Sequence, residues 1–211
     1  MNRQMLKRAF DILCSFTGLL ALSPLLAVAA VSVKIDSKGP AFFLQERIGR
    51  NFRPFRIIKF RTMATGSERG GSLITVCGDN RITRLGRFFR KYKIDELPQL
   101  INVLKGDMSL VGPRPEVKKY VGLFRADYEK LLTVRPGITD PASLRYSDEE
   151  GLLSLSADWE EDYINRILPA KIRLSSAYVD NHGVMGDIKL ILKTILRASG
   201  ADPAQGLRTE S

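Results

Sequence analysis

One uncharged stretch, Ile12 to Val33, limits this chain more than any other. It is apolar apart from Ser15, Thr17, Gly18, Ser23, Pro24 and Ser32, and as a helix it is long enough to cross a bilayer. Three paths compete for it. A signal peptide would use Arg3, Lys7 and Arg8 as its basic head and Ala27-Val28-Ala29 as a cleavage site, yet the apolar run continues past that site into a basic remainder. A straight span carries Arg3, Lys7 and Arg8 before it and Lys34 and Lys38 after it, so one basic set falls on the unfavoured side. A re-entrant helix, entering and leaving through one leaflet, keeps both sets together. Ser23-Pro24 stands at its middle. Proline removes an i to i−4 bond and bends a helix, and the Ser23 hydroxyl can bond a carbonyl freed by that break. On the residues alone, span and re-entrant hairpin stand level.

The chain has 211 residues, enough for one domain with a real core. We divide it into a membrane helix-hairpin over 1–38, a catalytic domain over 39–199 and a flexible tail over 200–211. The formal net charge of +10 favours anionic partners: nucleic acid, an anionic membrane or phosphorylated substrates. Cys14 and Cys77 lie in unlike contexts with no metal-ligand spacing, which fits a reducing compartment without disulfides.

Past the apolar run, Ala41 to Gln45 and Phe55 to Phe60 have strand composition, and Gly49-Arg50-Asn51 between them supplies turn residues, so a hairpin is expected. Of its many basic residues, Lys59 in Lys59-Phe60-Arg61 has apolar neighbours that would hold its charge in place. Ala64 to Gly78 is rich in Gly, Ser and Thr and reads as a loop. From Thr83 to Lys91 a helix is expected, with Arg84, Arg87 and Lys91 on one side and Leu85, Phe88 and Phe89 on the other. Such a basic amphipathic helix can lie on a membrane surface, or its guanidiniums can hold phosphate oxygens. Nucleic acid is set aside, because no recognised binding motif accompanies the charge.

The chemistry is expected around Asp95 and Glu96. These adjacent carboxylates precede a short helix whose Leu97, Leu100, Ile101 and Leu104 share one face. Pro98 fits its first turn and Gly106 its end. Asp95 or Glu96 could simply accept bonds from the free N–H groups there. Arg84, Arg87, Arg90 and Lys91 crowd in from upstream, however. Downstream, Met108 to Val111 reads as a buried strand leading to Arg114, which Pro113 and Pro115 hold with little conformational freedom. Acid groups at a helix start inside a basic basin suit a metal ion and phosphates. The C-terminal third reads as helix: Trp159 to Tyr178, then a helix capped by Asp187 whose Ile188, Ile191, Leu192 and Ile195 can rest on lipid or on the protein, the protein being preferred. His182, in a turn, receives no catalytic role.

Taken together, Arg8-Ala9-Phe10-Asp11, Ser23-Pro24, Glu46-Arg47-Ile48-Gly49, Lys59 to Met63, Arg81 to Gly86, Asp95-Glu96-Leu97-Pro98-Gln99, Gly106 to Pro115 and Arg135-Pro136-Gly137-Ile138-Thr139 resemble the bacterial sugar transferases, monotopic phosphoglycosyl transferases acting on polyprenyl phosphate, in their minimal catalytic form. The likeness runs over about the whole chain. It implies transfer of a sugar-1-phosphate from a UDP-sugar to undecaprenyl phosphate with release of UMP, starting glycoconjugate assembly. It implies Asp95 as the nucleophile that forms a phosphosugar-aspartyl intermediate, Glu96 with Asp95 as ligands of Mg²⁺, and Arg90 and Arg114 as phosphate contacts, to which the reading of the residues adds Lys59 and Arg87. It also tips the apolar segment to the re-entrant form, broken at Ser23-Pro24 on the cytoplasmic leaflet of the inner membrane.

The expected fold is α+β, mostly helical, with a small β-hairpin, that re-entrant helix and amphipathic interfacial helices. Membrane lipids and downstream glycosyltransferases are the further partners, nucleic acid is not, and self-association is open. After Thr139 many relatives continue Gly-x-Ala-Gln-Val, whereas this chain has Asp140-Pro141-Ala142 and the acidic Ser147-Asp148-Glu149-Glu150. That leaves the sugar unassigned, with Asp140 either a turn residue or a contact to a sugar hydroxyl. Two rival classes are a hydrolase of the same diphosphate and a noncatalytic anchor for glycan-assembly enzymes.

Overall fold

The computed structural model describes residues 3–64 and 78–200. The loop expected over 64–78, with Cys77, and the tail over 200–211 lie outside these residues except at their edges. Helix α1 spans Arg3–Asp36 and is the single helix among the described residues that is long and apolar enough to cross a membrane. It runs unbroken through Pro24, so the expected break does not divide it. The local reason is visible: Pro24 has no N–H for the Leu20 carbonyl, and the Ser23 hydroxyl donates to that oxygen instead at 2.8 Å.

Both ends of α1 dock on the same body. Near its start, Lys7 donates to Asp187 at 2.6 Å and to the Val111 carbonyl at 3.0 Å. Arg8 donates to the Val103 and Leu104 carbonyls, and Asp11 accepts from the Ser109 hydroxyl and the Leu110 N–H. Near its end, Ala29 and Val33 are buried with Ala41, Phe60 and Phe89. Between these anchors Leu20, Ser23, Pro24, Leu25 and Val28 are exposed.

The expected hairpin is present. Strands β1 (Phe42–Ile48) and β2 (Pro54–Phe60) pair antiparallel, from Phe42 opposite Phe60 to Ile48 opposite Pro54. Helix α2 (Arg84–Lys91) begins at Thr83, whose hydroxyl accepts from the Gly86 N–H. Helix α3 (Gln99–Lys105) ends at Gly106, whose φ of 92° is the left-handed stop that glycine tolerates best. Asn102 bolts α3 to β2: its Oδ1 accepts from the Ile58 N–H and its Nδ2 donates to the Arg56 carbonyl.

Strand β3 (Ser109–Val111) pairs in parallel with β4 (Gly137–Thr139), a partner that three residues of sequence do not announce. Here Gly112 and Gly137 cross so closely that a Cβ on Gly137 would stand 2.0 Å from the Gly112 nitrogen. That contact explains why each of the two proline-bearing loops carries a glycine.

The remaining chain is helical: α4 (Lys118–Leu123), α5 (Arg125–Leu131), α6 (Pro141–Arg145), α7 (Glu149–Ser154), α8 (Trp159–Asp162), α9 (Leu168–Asn181) and α10 (Val184–Ala198). The helix expected over Trp159 to Tyr178 is interrupted by a π turn over Tyr163–Ile167. That turn lies just before Pro169, whose missing N–H disturbs the ladder. Tyr120, Tyr128, Leu131, Leu153, Tyr163 and Leu168 form the main core here. The apolar side of α10 was expected on the protein, and only part of it is: Leu190 and Ile191 pack inward, whereas Leu192, Ile195 and Leu196 are exposed.

Candidate active site

Asp95 and Glu96 lie in a one-turn 3-10 segment, Ile94–Glu96, directly before α3. The turn starts at Lys93, which takes a left-handed φ of 56°. That conformation is costly for a side-chain-bearing residue, and it folds both carboxylates inward, to 7% and 9% exposure. Neither carboxylate caps α3, as one simple reading of the sequence had it; the capping position belongs to Pro98.

The two acids then part company. Glu96 Oε1 accepts from Lys59 Nζ at 2.8 Å and from Arg114 Nη2 at 2.5 Å, and its Oε2 faces Arg114 Nη1 at 3.4 Å. Burial alone would raise the Glu96 pKa, but Arg114 and Lys59 overrule it and hold this carboxyl well below the usual range. Asp95 has no such partner. Its Oδ1 is buried with no hydrogen bond among the described residues. Burial, then repulsion from Glu96, pushes its pKa up to about 6 against the weaker pull of Lys59, Lys93 and Arg90. Glu96 is thus a fixed anion, and Asp95 is a carboxylate whose lone pairs the fold leaves uncommitted. Nearby in sequence, Gln99 is 1% exposed and its Nε2 is also unpaired, so an unused donor accompanies the unused acceptor. Buried polar atoms are rarely left so.

The cations around the dyad are set from several directions. Lys59 sits on β2, next to the residue that Asn102 grips. Arg114 is clamped through both flanking prolines: the Pro113 carbonyl accepts from the Gly137 N–H, and the Pro115 carbonyl from Arg47. Arg47 also meets Glu116, which accepts from the Tyr163 hydroxyl at 2.8 Å. A small, half-open cavity adjoins Arg114 and is lined by Glu116, Asp140 and Lys171. Arg90, on α2, donates to the Thr62 hydroxyl at 3.0 Å and to Glu150 at 2.7 Å. Arg87 is exposed and donates weakly to the Ile82 carbonyl, so it is not brought to the dyad's contacts.

The acidic departure at 147–150 therefore acts on basic residues of the interior. Glu150 holds Arg90, and Glu149 holds Lys171. Asp140 is fully buried; Oδ1 accepts from the Ser143 N–H and Oδ2 from the Ser175 hydroxyl. It caps α6, which is the local-structure option of the two, and it also borders the cavity beside Arg114. His182 rests on the Val179 carbonyl. The sequence reading missed Lys93, Gln99 and Thr62. Each stood near a signal: Lys93 is a charge two residues before Asp95, and Thr62 and Gln99 belong to the motifs that carry the resemblance.

Among the described residues no group of three or more His, Cys, Asp and Glu gathers as a metal cage. Mg²⁺ does not need one, since it settles for one or two carboxylates together with water and phosphates. The uncommitted Asp95 Oδ1 and the loosely held Glu96 Oε2 fit that demand.

A profile of the family described as bacterial sugar transferase matches residues 2–200. The UDP-N-acetylgalactosamine-undecaprenyl-phosphate N-acetylgalactosaminephosphotransferase of Aeromonas hydrophila is 40% identical over 193 residues, 90% of this chain and 43% of that protein. The undecaprenyl-phosphate glucose phosphotransferase of Komagataeibacter xylinus is 41% identical over 90% of this chain and 35% of its own length. The exopolysaccharide production protein PSS of Rhizobium leguminosarum bv. phaseoli is 38% identical over 90% of this chain and 94% of its own length. The chain thus spans less than half of the first two relatives and nearly all of the third.

Proposed function

Because this chain belongs to the bacterial sugar transferase family, we propose that it moves a sugar-1-phosphate from a UDP-sugar to a membrane polyprenyl phosphate, undecaprenyl phosphate in a bacterium, and so starts assembly of an exopolysaccharide or related glycan. The observation that carries the reading is Asp95: a buried carboxylate with an uncommitted oxygen, beside an acid that Lys59 and Arg114 already neutralise.

The reaction runs in two displacements at one phosphorus. An Asp95 oxygen attacks the β-phosphorus of the donor. The bond from that phosphorus to the oxygen bridging it to the α-phosphorus breaks, and UMP leaves with the electron pair. An oxygen of the polyprenyl phosphate then attacks the same phosphorus and frees the Asp95 carboxylate, leaving a polyprenyl diphosphosugar. Dividing the transfer in this way lets one site serve two anionic partners in turn. Lys59, Arg114 and Lys93 offset the charge that gathers on the phosphoryl oxygens. Arg90 joins them when a donor phosphate takes the place of Glu150 on its guanidinium. A Mg²⁺ ion held by Glu96 and Asp95 would supply further charge neutralisation at the leaving phosphate.

The docking of α1 supports a monotopic, re-entrant arrangement over a straight span. A span puts its two ends on opposite faces of the bilayer, whereas Lys7 and Val33 are both held by one body. For the exposed middle around Ser23-Pro24 to lie deepest in lipid the helix must bend there, where Pro24 leaves the Leu20 carbonyl without its N–H; the catalytic body over 39–199 then rests on the cytoplasmic leaflet, facing the cytosol where UDP-sugars are made. Exposed Leu192, Ile195 and Leu196 of α10 extend that lipid-facing surface.

The test is a rapid-quench incubation of the full chain with labelled UDP-sugar and Mg²⁺, without acceptor. Label attached to Asp95, with about one UMP per enzyme and discharge on adding polyprenyl phosphate, is expected. Label absent from wild type, or retained by Asp95→Asn, overturns the mechanism; many UMP per enzyme without acceptor favours the hydrolase.

A further inference from the structure

We propose that a cavity at the start of α1 is a second anion site, which takes a phosphate group independently of Asp95 and Glu96. The cavity is half open to solvent and draws its walls from distant parts of the chain: Lys7, Arg8 and Asp11 of α1, Arg50 of the β1–β2 turn, Arg135 ahead of β4, and His182. Arg8 holds the C-terminal carbonyls of α3, while the dyad precedes the other end of that helix. Seven residues at 1.5 Å each separate the two sites by roughly 10 Å or more.

The cavity's charges do not cancel from within. Lys7 is matched by Asp187 at 2.6 Å. Asp11 has given its oxygens to the Ser109 hydroxyl and the Leu110 N–H. That leaves three guanidiniums facing one already engaged carboxylate. Their donors are also unequally spent. Arg8 uses both terminal nitrogens on carbonyls. Among the described residues Arg135 uses only Nε, on the Gly106 carbonyl at 2.8 Å. The Arg50 side chain meets no hydrogen-bond partner among the described residues, and its Nε is fully buried. Burying a charged donor without a partner is costly, and crowding like charges adds to it. Burial, then Arg8 and Arg50, weakens the hold of Arg135 on its proton.

A phosphate removes both costs. Its oxygens accept the planar N–H forks of Arg50 and Arg135, and its charge offsets the excess of guanidinium. A neutral sugar would satisfy the donors but not the charge. The place suits a phosphate at headgroup depth, because Met5 and Leu6 beside the cavity are exposed, as are Ile12, Leu13 and Phe16 farther along α1. The phosphate is that of a lipid headgroup or one free in solution. The site stands apart from the transfer reaction, and its test does not read turnover.

The test follows melting of the full chain in neutral detergent, with inorganic phosphate titrated against KCl of matched ionic strength. It is repeated in phosphatidylcholine nanodiscs with and without phosphatidylglycerol. Wild type, Arg50→Gln and the neighbouring exposed Arg53→Gln are compared. Phosphate or phosphatidylglycerol is expected to raise the melting temperature of wild type and Arg53→Gln. Arg50→Gln is expected to bind about fivefold more weakly or worse, the worth of one basic residue at a charged surface. Response to phosphate alone identifies the free ion, and response only to phosphatidylglycerol identifies the headgroup. Without either, Arg50→Gln should melt at or above wild type, because a repelling charge is gone. The site is refuted if Arg50→Gln responds like wild type, if Arg53→Gln loses as much, or if Arg50→Gln melts well below wild type without ligand.

Discussion

Replacing Asp95 by Asn should make the protein more stable at neutral pH while stopping it from working. A carboxyl whose pKa rises on folding prefers its protonated form in the native state, so its ionisation opposes folding. For Asp95 the rise runs from an ordinary 3.8 to about 6. At about 1.4 kcal/mol for each tenfold change in an equilibrium constant, ionised Asp95 costs about 3 kcal/mol. That cost is absent below the unfolded value, near pH 4. It grows as the pH climbs through the folded value, near 6, and is complete above about pH 7. Asparagine never carries it. For a chain of this length the gap corresponds to roughly 6–12 °C in melting temperature. Thermal unfolding of wild type and Asp95→Asn in one detergent, at intervals from about pH 4 to pH 8, reads it directly. The two curves should meet at the acid end and separate as pH rises. A constant gap, or an Asn variant less stable at neutral pH, would show that the Asp95 carboxylate is favourably held, and the reasoning fails. The kcat/KM of wild type should climb along its acid limb near the same pH.

Lys7→Ala removes the cation from fully buried Asp187 and leaves it the Tyr178 hydroxyl; urea unfolding should show a loss of about 3 kcal/mol. Gly86→Ala sets a Cβ 2.1 Å from the Thr62 carbonyl oxygen, forcing α2 and Arg90 away from Thr62. Most activity should be lost in a radiolabelled transfer assay, while Gly122→Ala, with open space around it, stays near wild type. With Cys14 and Cys77 replaced, single cysteines at Gln4 and Lys38 should both escape an impermeant thiol reagent added to intact cells; labelling of either refutes the re-entrant path.

Local pattern was enough for the elements that obey it. The hairpin around Gly49, the Thr83 start of α2 and the Gly106 stop of α3 rest on turn and capping chemistry written within a few residues. Three features were not legible in that way. Strand β4 exists because Gly137 can approach Gly112, a fact about two loops and not about Gly-Ile-Thr. Asp95 reads as a capping residue until Lys93 adopts its left-handed turn and withdraws the carboxylate from the helix end. Arg90 reads as a free phosphate ligand until Glu150, sixty residues on, is found holding it. Each outcome is decided by a distant partner or an uncommon backbone state. The candidate residues could therefore be named from the sequence, and the contacts that hold them, Glu150 on Arg90 and the Lys59 and Arg114 pair on Glu96, could not.

The way α1 is fastened makes it a keystone. A polypeptide started after Asp36 would lose the cation from Asp187, the acceptor for Ser109 and the Leu110 N–H, and the donors that close the end of α3. It would also bare Phe60 and Phe89. Trimming the greasy leader to obtain a water-soluble enzyme would therefore collapse the strand and helix that shape the reaction centre. Solubility has to come from a surrounding amphiphile, with the helix left in place.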